Sequence, residues 1–306
     1  DDGAGTNETA ISGATSASYA PTTADAHKNL RVVVTASNSQ GRTTETASSV
    51  RTAVANTAPV NSAVPAITGT AAVGGTLSAS TGTWSDADND AVTYTYQWYR
   101  AADAAGTGET AITGATAATY ALSSADAHKF VRVVVTANDA NGSSTQTAAS
   151  DRSLIANTAP VNSAVPAVSG TSIVGNALTA TSGTWSDTDS DTVTYSYQWY
   201  RANDAAGTGE TAISGATAAT YTLTSADANK HVRVVVTAND GNGSSTQTAA
   251  STRTSIANSA PVNTAVPAVT GTNAVGGTLT AGTGSWTNTD SDVTYTYQWY
   301  RSDDGA

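Results

Sequence analysis

The sequence predicts an all-β protein made of tandem β-sandwich domains, each of about seven strands, with a period of about 100 residues. The string YQWYR recurs around Trp98, Trp199 and Trp299, so the repeat is 101 and then 100 residues long. Only 12% of the residues are charged, and Thr, Ala, Ser and Val dominate; Thr and Val favour strands. Alternating segments separated by turn residues give about seven strands per repeat, the pattern of a whole sandwich and too long for a solenoid unit.

The recurring segment APVN divides the chain into domains. It begins at Ala58, Ala159 and Ala260, and six of the seven prolines lie in these opening segments. Proline cannot donate to a central strand ladder, so it is typical of domain starts and edges. The predicted domains are the C-terminal part of a sandwich in residues 1–58, complete sandwiches in residues 59–158 and 159–259, and the N-terminal part of a sandwich in residues 260–306.

The third strand of the first complete repeat is predicted over residues 92–100. Its alternation places Tyr94, Tyr96 and Trp98 on one face. We therefore expect Trp98, and likewise Trp199 and Trp299, to be buried between the two sheets.

A second long strand is predicted over residues 130–137, with Val131, Val133 and Val135 on one face. Those valines should pack against the tryptophan. The remaining strands are predicted over residues 64–68, 76–84, 110–113, 119–122 and 143–155.

Composition excludes several functions. The chain has 24 acidic and 13 basic residues and a net charge of -11, so it has too few cations to neutralise nucleic-acid phosphates. No apolar segment approaches the roughly 18 residues of a membrane span. Cysteine is absent, which excludes disulfides and thiolate metal sites. No Ser-His-Asp spacing, phosphate loop or zinc motif is present, and we expect that the chain is not an enzyme.

The segment from GGTL at Gly74 through YQWYR to ATAATYALSSADAHKFVRVVVTANDANGSS resembles the Ig-like repeats of large bacterial surface adhesins and extracellular fibre proteins. The strings NTAPVN and WSDADNDAVTYTY also resemble bacterial cadherin-like repeats. The resemblance covers the whole chain. It implies Ig-like domains, an extracellular or cell-surface location, and a stalk or filament whose partners are neighbouring repeats or copies of the chain. It also implies calcium.

The loop between the second and third strands carries alternating oxygen ligands, which suit a hard cation. At the same end of a sandwich lie the turn after the 130–137 strand and the linker around Asn56. The predicted calcium ligands are Asp86, Asp88, Asp90 and Asp139 in one repeat, Asp187, Asp189, Asp191 and Asp240 in the next, and Asn288, Asp290 and Asp292 in the last. Because Asn288 replaces a carboxylate, its site should be the weakest. The alternative is that these residues are ordinary solvated turn formers.

Two other residue sets could in principle carry chemistry. The first three repeats each have one lysine, and each also has a glutamate, as an isopeptide crosslink would need. Such a bond requires a buried lysine, however, and these lysines lie in a turn that we expect to be solvated. Histidines do not keep register between repeats, so we expect them to be surface residues. These sets are Lys28, Lys129 and Lys230, Glu8, Glu109 and Glu210, and His27, His128 and His231.

Two functions remain open. Near-identical repeats favour a structural role as the stalk or body of an extracellular fibre, because a receptor site usually needs one divergent domain. The alternative is an adhesive binding module in which the sandwich loops recognise a glycan or a host surface protein.

The tetrapeptide Asp-Asp-Gly-Ala stands at residues 1–4 and again at residues 303–306, at the same place in the repeat. Neither partial domain can bury its apolar face alone. Two explanations compete: a window from a longer continuous polypeptide, or subunits that polymerise head to tail by strand complementation. Because the same tetrapeptide stands at both ends, we favour the first explanation, a segment of a longer continuous polypeptide.

Overall fold

The computed structural model describes residues 7–40, 44–141, 145–242, 246–290 and 292–303. Within that part, regular structure consists of β-strands and three short 3-10 turns, Thr23–Asp25, Ser124–Asp126 and Ser225–Asp227. The chain forms two compact units, Asp1–Asn157 and Thr158–Ala306. Each unit holds one complete and one partial sandwich, so the predicted fold of tandem Ig-like β-sandwiches is confirmed.

The described strands of the first unit are β1 (Asn29–Leu30), β2 (Val33–Ser37), β3 (Thr44–Ser48), β4 (Thr52–Ala53), β5 (Val60–Ala63), β6 (Ile67–Gly69), β7 (Thr76–Ala79), β8 (Thr83–Ser85), β9 (Thr93–Ala101), β10 (Thr110–Ala111), β11 (Thr119–Ala121), β12 (Phe130–Asn138), β13 (Thr145–Ala149) and β14 (Ser153–Leu154).

The described strands of the second unit are β15 (Val161–Ala164), β16 (Val168–Gly170), β17 (Ala177–Ala180), β18 (Thr184–Ser186), β19 (Thr194–Ala202), β20 (Thr211–Ala212), β21 (Thr220–Thr222), β22 (His231–Asn239), β23 (Thr246–Ala250), β24 (Thr254–Ser255), β25 (Val262–Ala265), β26 (Val269–Gly271), β27 (Leu279–Ala281) and β28 (Ser285–Thr287).

Each complete sandwich packs two sheets face to face. In the first unit one sheet has the order β10-β9-β12-β13, with β14 also pairing β12, and the other has the order β11-β7-β6. β5 and β8 form a separate two-stranded pair. The second unit repeats this arrangement with β20-β19-β22-β23, β24 on β22, β16-β17-β21, and the β15–β18 pair.

The core lies between the sheets and is centred on the antiparallel pair β9 and β12. Trp98 stands opposite Val133 in this ladder and is 0% exposed. Val131, Val133 and Val135 are also 0% exposed. Trp199 occupies the same position in the second unit and is likewise 0% exposed, which confirms the predicted core for both complete sandwiches.

Three of the predicted strands are wrong in their bounds, because residues 64–68, 76–84 and 143–155 are each divided; the described part of the last forms two strands, β13 and β14. Residues 64–68 do not form one strand: β5 ends before Pro65 and β6 begins after it, and the two strands join different partners, β8 and β7. A proline has no N–H for a ladder, so the chain changes partner there. Residues 76–84 are likewise divided into β7 and β8 by Gly82, which has a φ of +79°.

The last repeat also differs from its prediction. Residues 292–303 form no strand, although a third strand was expected there, and Trp299 is 49% exposed instead of buried. In the complete sandwiches this strand is held by the long strand after it, and residues 260–306 contain no such segment. The Asp-Asp-Gly-Ala copies at the two ends lie largely outside the described residues.

Helical structure in the described part of the chain is limited to single turns, and no helix there has the length and apolarity to cross a bilayer.

Candidate cation site in the acidic loops

The acidic loop between β8 and β9 folds around its first carboxylate. Asp86 Oδ1 accepts hydrogen bonds from the backbone N–H groups of Asp88, at 2.8 Å, and Asp90, at 3.4 Å. Asn89 adopts a φ of +63°, a left-handed conformation that asparagine tolerates better than most residues. The turn brings the alternating carboxylates to one side of the loop.

In the second unit the same loop has the same local structure. Asp187 Oδ1 accepts from the N–H groups of Asp189, at 2.8 Å, and Asp191, at 3.4 Å. Ser190 takes the left-handed position with a φ of +65°. Both loops are therefore shaped by their own sequence.

Two other segments reach the loop of the first unit. The side-chain amide of Asn141, in the turn after β12, donates to Asp90 Oδ2 at 2.9 Å. The backbone N–H of Thr57, in the linker before β5, donates to Asp88 Oδ2 at 2.6 Å. The loop, the turn and the linker therefore meet at one end of the sandwich.

Asp139 joins the linker to the turn in the same unit. It is 3% exposed, and its Oδ2 accepts from Asn56 Nδ2 at 3.0 Å. Asn56 Nδ2 also donates to the carbonyl oxygen of Asn141 at 2.9 Å. Asp139 is thus connected to the acidic loop through Asn141, whose backbone N–H donates to Asp139 and whose side chain donates to Asp90.

The second unit repeats these contacts around Asp189, which is 4% exposed. Thr158 N–H donates to Asp189 Oδ2 at 2.6 Å, and Asn242 Nδ2 donates to Asp191 Oδ2 at 2.8 Å. Asp240 is 6% exposed, and its Oδ1 accepts from the backbone N–H of Asn242 at 2.8 Å.

The loop of the last repeat keeps the hydrogen bond from the linker, but it has Asn288 where the other two loops have an aspartate. Ser259 N–H donates to Asp290, and Asn258 Nδ2 donates to Asp292. Asn288 Nδ2 also donates to Asp292 Oδ1 at 3.0 Å. An amide donor therefore stands beside an oxygen that a cation would need, in the loop that the sequence predicts to be the weakest site.

Several carboxylate oxygens in these loops are buried and accept no hydrogen bond from the described residues. A buried polar atom without a partner is costly, and more so when it belongs to an ionised group. These atoms are Asp86 Oδ2, Asp187 Oδ2, Asp189 Oδ1 and Asp290 Oδ1. Positive charge placed within the loop would satisfy them.

A histidine also lies in the first of these clusters, which the sequence did not predict. His27 Nε2 is 2.8 Å from Asp90 Oδ2, and ligand atoms of His27, Asp88 and Asp90 all lie within 4.8 Å of one another. The sequence analysis missed this histidine because it compared His27 and His128 with His231, which lies within β22. The residue that corresponds to His27 two repeats later is Asn229. The shared string Ala-Asp-Ala-His-Lys at His27 and His128 was the available signal.

A second polar cluster, also missed, fixes the 3-10 turn after β11. Asp126 is 0% exposed. Its Oδ1 accepts from Arg100 Nε at 2.7 Å, and its Oδ2 accepts from Tyr120 OH at 2.9 Å and Ser123 N–H at 2.8 Å. The spacing of Ser123 and Asp126 is that of a capping box, and this cluster is structural.

The second unit has the same cluster with Asp227. Burial raises the pKa of Asp227, but hydrogen bonds from Arg201, from the Thr224 backbone and from Tyr221 outweigh burial and hold its pKa below the usual value. Burial, followed by the hydrogen bond to Asp227, raises the pKa of Tyr221. Arg201 and Asp227 are therefore charged partners at neutral pH.

One glutamate in each of the first three repeats binds arginines. Glu109 Oε1 accepts from Arg132 Nη2 and Glu109 Oε2 accepts from Arg152 Nη2, at 2.5 and 2.6 Å. Burial raises the pKa of Glu109, but the two arginines outweigh it and keep that pKa below its usual value. The same pattern joins Glu8 to Arg31 and Arg51, and Glu210 to Arg233 and Arg253.

No family model matches the chain, and no curated protein matches it. Among solved structures, the chain is similar to the FN1–FN3 domains of chicken CNTN1. The two chains are 15% identical and superpose with a TM-score of 0.19, over 71% of this chain and 76% of the other.

Proposed function

We propose that this chain is the structural repeat region of an extracellular bacterial fibre or giant surface adhesin, and that calcium bound at its acidic loops stiffens the junctions between repeats. The fold is a tandem Ig-like array, and its repeats copy one another closely in both core and loops. A stalk needs many equivalent elements, whereas a receptor site usually needs one that differs.

The calcium proposal rests on one observation, the burial of Asp189 with a carboxylate oxygen that accepts no hydrogen bond from the described residues. Asp189 is 4% exposed, and its Oδ1 is that buried oxygen. Asp187 Oδ2 in the same loop is in the same state. Two unsatisfied anionic oxygens in one short loop are unfavourable unless a cation binds between them.

Calcium fits this loop better than other hard cations. Ca²⁺ takes six to eight oxygen ligands in flexible geometry, whereas Mg²⁺ requires a near-ideal octahedron and retains several waters. The loop offers carboxylates at alternate positions, with asparagine and backbone oxygens of the turn nearby. Irregular protein oxygens of this kind are typical calcium ligands.

The linker explains how a bound cation would stiffen the array. Asp88 in the first unit and Asp189 in the second each accept the backbone N–H of the linker residue, Thr57 or Thr158. A cation that fixes the carboxylate therefore also fixes the linker. Without it, junctions between domains rest on contacts that are usually small and polar.

Isothermal titration of the 306-residue chain with CaCl₂ tests this function. We expect saturable calcium binding that Asp189→Asn weakens by at least about tenfold at one site, because a carboxylate ligand is lost. The matched control is Asp151→Asn, an exposed carboxylate of the same chain, which should bind as the wild type does. Absence of binding at millimolar calcium, or equal binding by the Asp189 variant, would overturn the proposal.

A further inference from the structure

One histidine reaches the acidic loop of the first unit from the sandwich before it. His27 follows the 3-10 turn Thr23–Asp25, and its Nε2 atom lies 2.8 Å from Asp90 Oδ2. The side chain of His27 is 38% exposed and that of Asp90 is 16% exposed. An imidazole nitrogen therefore stands beside the carboxylate oxygens of this loop.

A second carboxylate completes a cluster of three ligand residues. One ligand atom each from His27, Asp88 and Asp90 lies within 4.8 Å of the other two. Two ligands of a tetrahedral zinc ion lie about 3.4 Å apart, since each bond is about 2.0–2.1 Å long. The distance from His27 Nε2 to Asp90 Oδ2 needs to open by only about half an ångström to admit the ion, and the exposed imidazole ring has room to move.

The turn that carries His27 has a defined geometry. Asp25 is 6% exposed, and its Oδ2 accepts hydrogen bonds from Thr22 N–H at 2.8 Å and Tyr19 OH at 2.7 Å. His27 then takes a φ of +61°, and the corresponding His128 takes a φ of +58°. The capped turn therefore holds the backbone of the histidine at a fixed place beside the loop.

Hydrogen bonds also hold the two carboxylates of the cluster. Asp88 Oδ2 accepts from Thr57 N–H at 2.6 Å, and Asp90 Oδ2 accepts from Asn141 Nδ2 at 2.9 Å. An ionised carboxylate has about four lone-pair sites, so these bonds leave acceptor capacity for a metal. Metal ligands in proteins are commonly oriented by outer hydrogen bonds of this kind.

The charge of the loop provides an observation that is independent of the histidine. Asp86 Oδ2 is buried and accepts no hydrogen bond from the described residues. Within the described part of the chain, neither lysine nor arginine forms an ion pair with Asp86, Asp88 or Asp90. Three carboxylates next to one imidazole leave negative charge that a divalent cation compensates.

The imidazole nitrogen determines which class of metal fits. Ca²⁺ and Mg²⁺ take oxygen ligands, whereas zinc binds imidazole together with carboxylates. We infer that the first unit binds Zn²⁺ through His27 Nε2 and one oxygen each of Asp88 and Asp90, with water as the fourth ligand. The ion joins the turn of one sandwich to the acidic loop of the next.

This inference goes beyond the calcium proposal and can fail separately from it. Both metals use Asp88 and Asp90, but only zinc needs His27. The residue that corresponds to His27 two repeats later is Asn229, which takes a φ of +56°. Because asparagine fits the same turn, His27→Asn removes the nitrogen ligand and preserves the backbone.

Isothermal titration of the 306-residue chain with micromolar ZnCl₂, in calcium-free buffer, tests the inference. We expect the wild type to have one saturable zinc site that His27→Asn loses, while the two proteins bind CaCl₂ equally. The matched control is His231→Phe, since Phe130 holds the same position in the first complete sandwich. It should bind zinc as the wild type does.

The melting temperature without metal guards against a folding defect, and His27→Asn should match the wild type. Equal zinc binding by the wild type and His27→Asn would overturn the inference and reduce the cluster to an ion pair between His27 and Asp90. That result leaves the calcium proposal standing. Loss of the same zinc site in His231→Phe would also overturn the inference, because the site would then not depend on the histidine beside the loop.

Discussion

At the scale of single residues, the same side chain has different consequences depending on the strand beside it. Trp98 and Trp199 are completely buried against valines of β12 and β22, and the indole N–H of each donates to a carbonyl oxygen at 3.0 and 2.9 Å. Trp299 has the same sequence neighbours but is half exposed. Burial, and not the residue type, gives the tryptophan its contribution to stability.

Trp199→Ala should lower the free energy of unfolding of its sandwich by about 3–5 kcal/mol, because it removes a buried aromatic side chain and leaves a cavity. Urea unfolding followed by circular dichroism measures this. Trp299→Ala is the matched control and should change stability little, because Trp299 is half exposed. Equal effects of the two substitutions would show that the core is not organised around this residue.

The Arg201–Asp227 cluster predicts acid sensitivity. The pKa of Asp227 is lower in the folded chain than in the unfolded chain, so its contribution is complete above the unfolded value of about 3.9 and disappears as pH falls through the folded value. At pH 7, Asp227→Asn should cost about 3–5 kcal/mol, because it leaves Arg201 without its buried partner. The difference between wild type and variant should shrink below about pH 4.

Urea unfolding of both proteins between pH 7 and pH 2 measures that difference. Asp151→Asn serves as the control, because this carboxylate is exposed, and it should change the free energy of unfolding little at pH 7. A gap for Asp227→Asn that stays constant down to pH 2 would contradict the assignment of a low pKa to this carboxyl.

At the scale of secondary structure, alternation predicted the strands that run through the core and missed the breaks in the others. The predicted third strand differs from β9 by one residue at each end, because its buried face is continuous from Tyr94 to Trp98. The outer strands were predicted too long, since Pro65 and Gly82 make the chain change partner without interrupting the apolar pattern. The ends of the outer strands are set by local backbone geometry, which the periodicity of apolar residues does not reveal.

The turn glycines of the outer strands can be tested directly. Gly183 has a φ of +82°, and a Cβ there would lie 2.4 Å from the carbonyl oxygen of Ala164. Gly183→Ala should therefore cost about 1–3 kcal/mol and disturb the β15–β18 pair. Gly215→Ala is the control, since it also has a positive φ, +74°, but a Cβ there meets no atom within 4 Å.

Thermal unfolding of the two variants separates strain from steric conflict. Both substitutions should lower the melting temperature, because alanine is strained at a positive φ. Gly183→Ala should lower it more, because backbone atoms must also move to make room for the Cβ. If Gly215→Ala were the more destabilised of the two, the division between β17 and β18 would need another explanation.

At the scale of the whole molecule, the predicted calcium site rests on the spacing of the carboxylates and on the position of the loops in a sandwich. Alternate carboxylates and the order of loops in a sandwich were enough to group the acidic loop, the turn at Asp139 and the linker. What the sequence could not supply is contact across long separations, such as His27 with Asp90 and Arg100 with Asp126. Those contacts depend on the path of left-handed and capped turns, which the sequence pattern does not give.

The most direct test of a calcium-stiffened repeat array is the distance between two spin labels in the first unit, one in each of its sandwiches. The chain contains no cysteine, so Thr46→Cys in β3 and Thr119→Cys in β11, both exposed, give a specific pair of labels for electron–electron double resonance. We expect a narrow distance distribution in calcium and a broad one in chelator, with Asp88→Asn broad in both. Distributions of equal width with and without calcium would contradict the account.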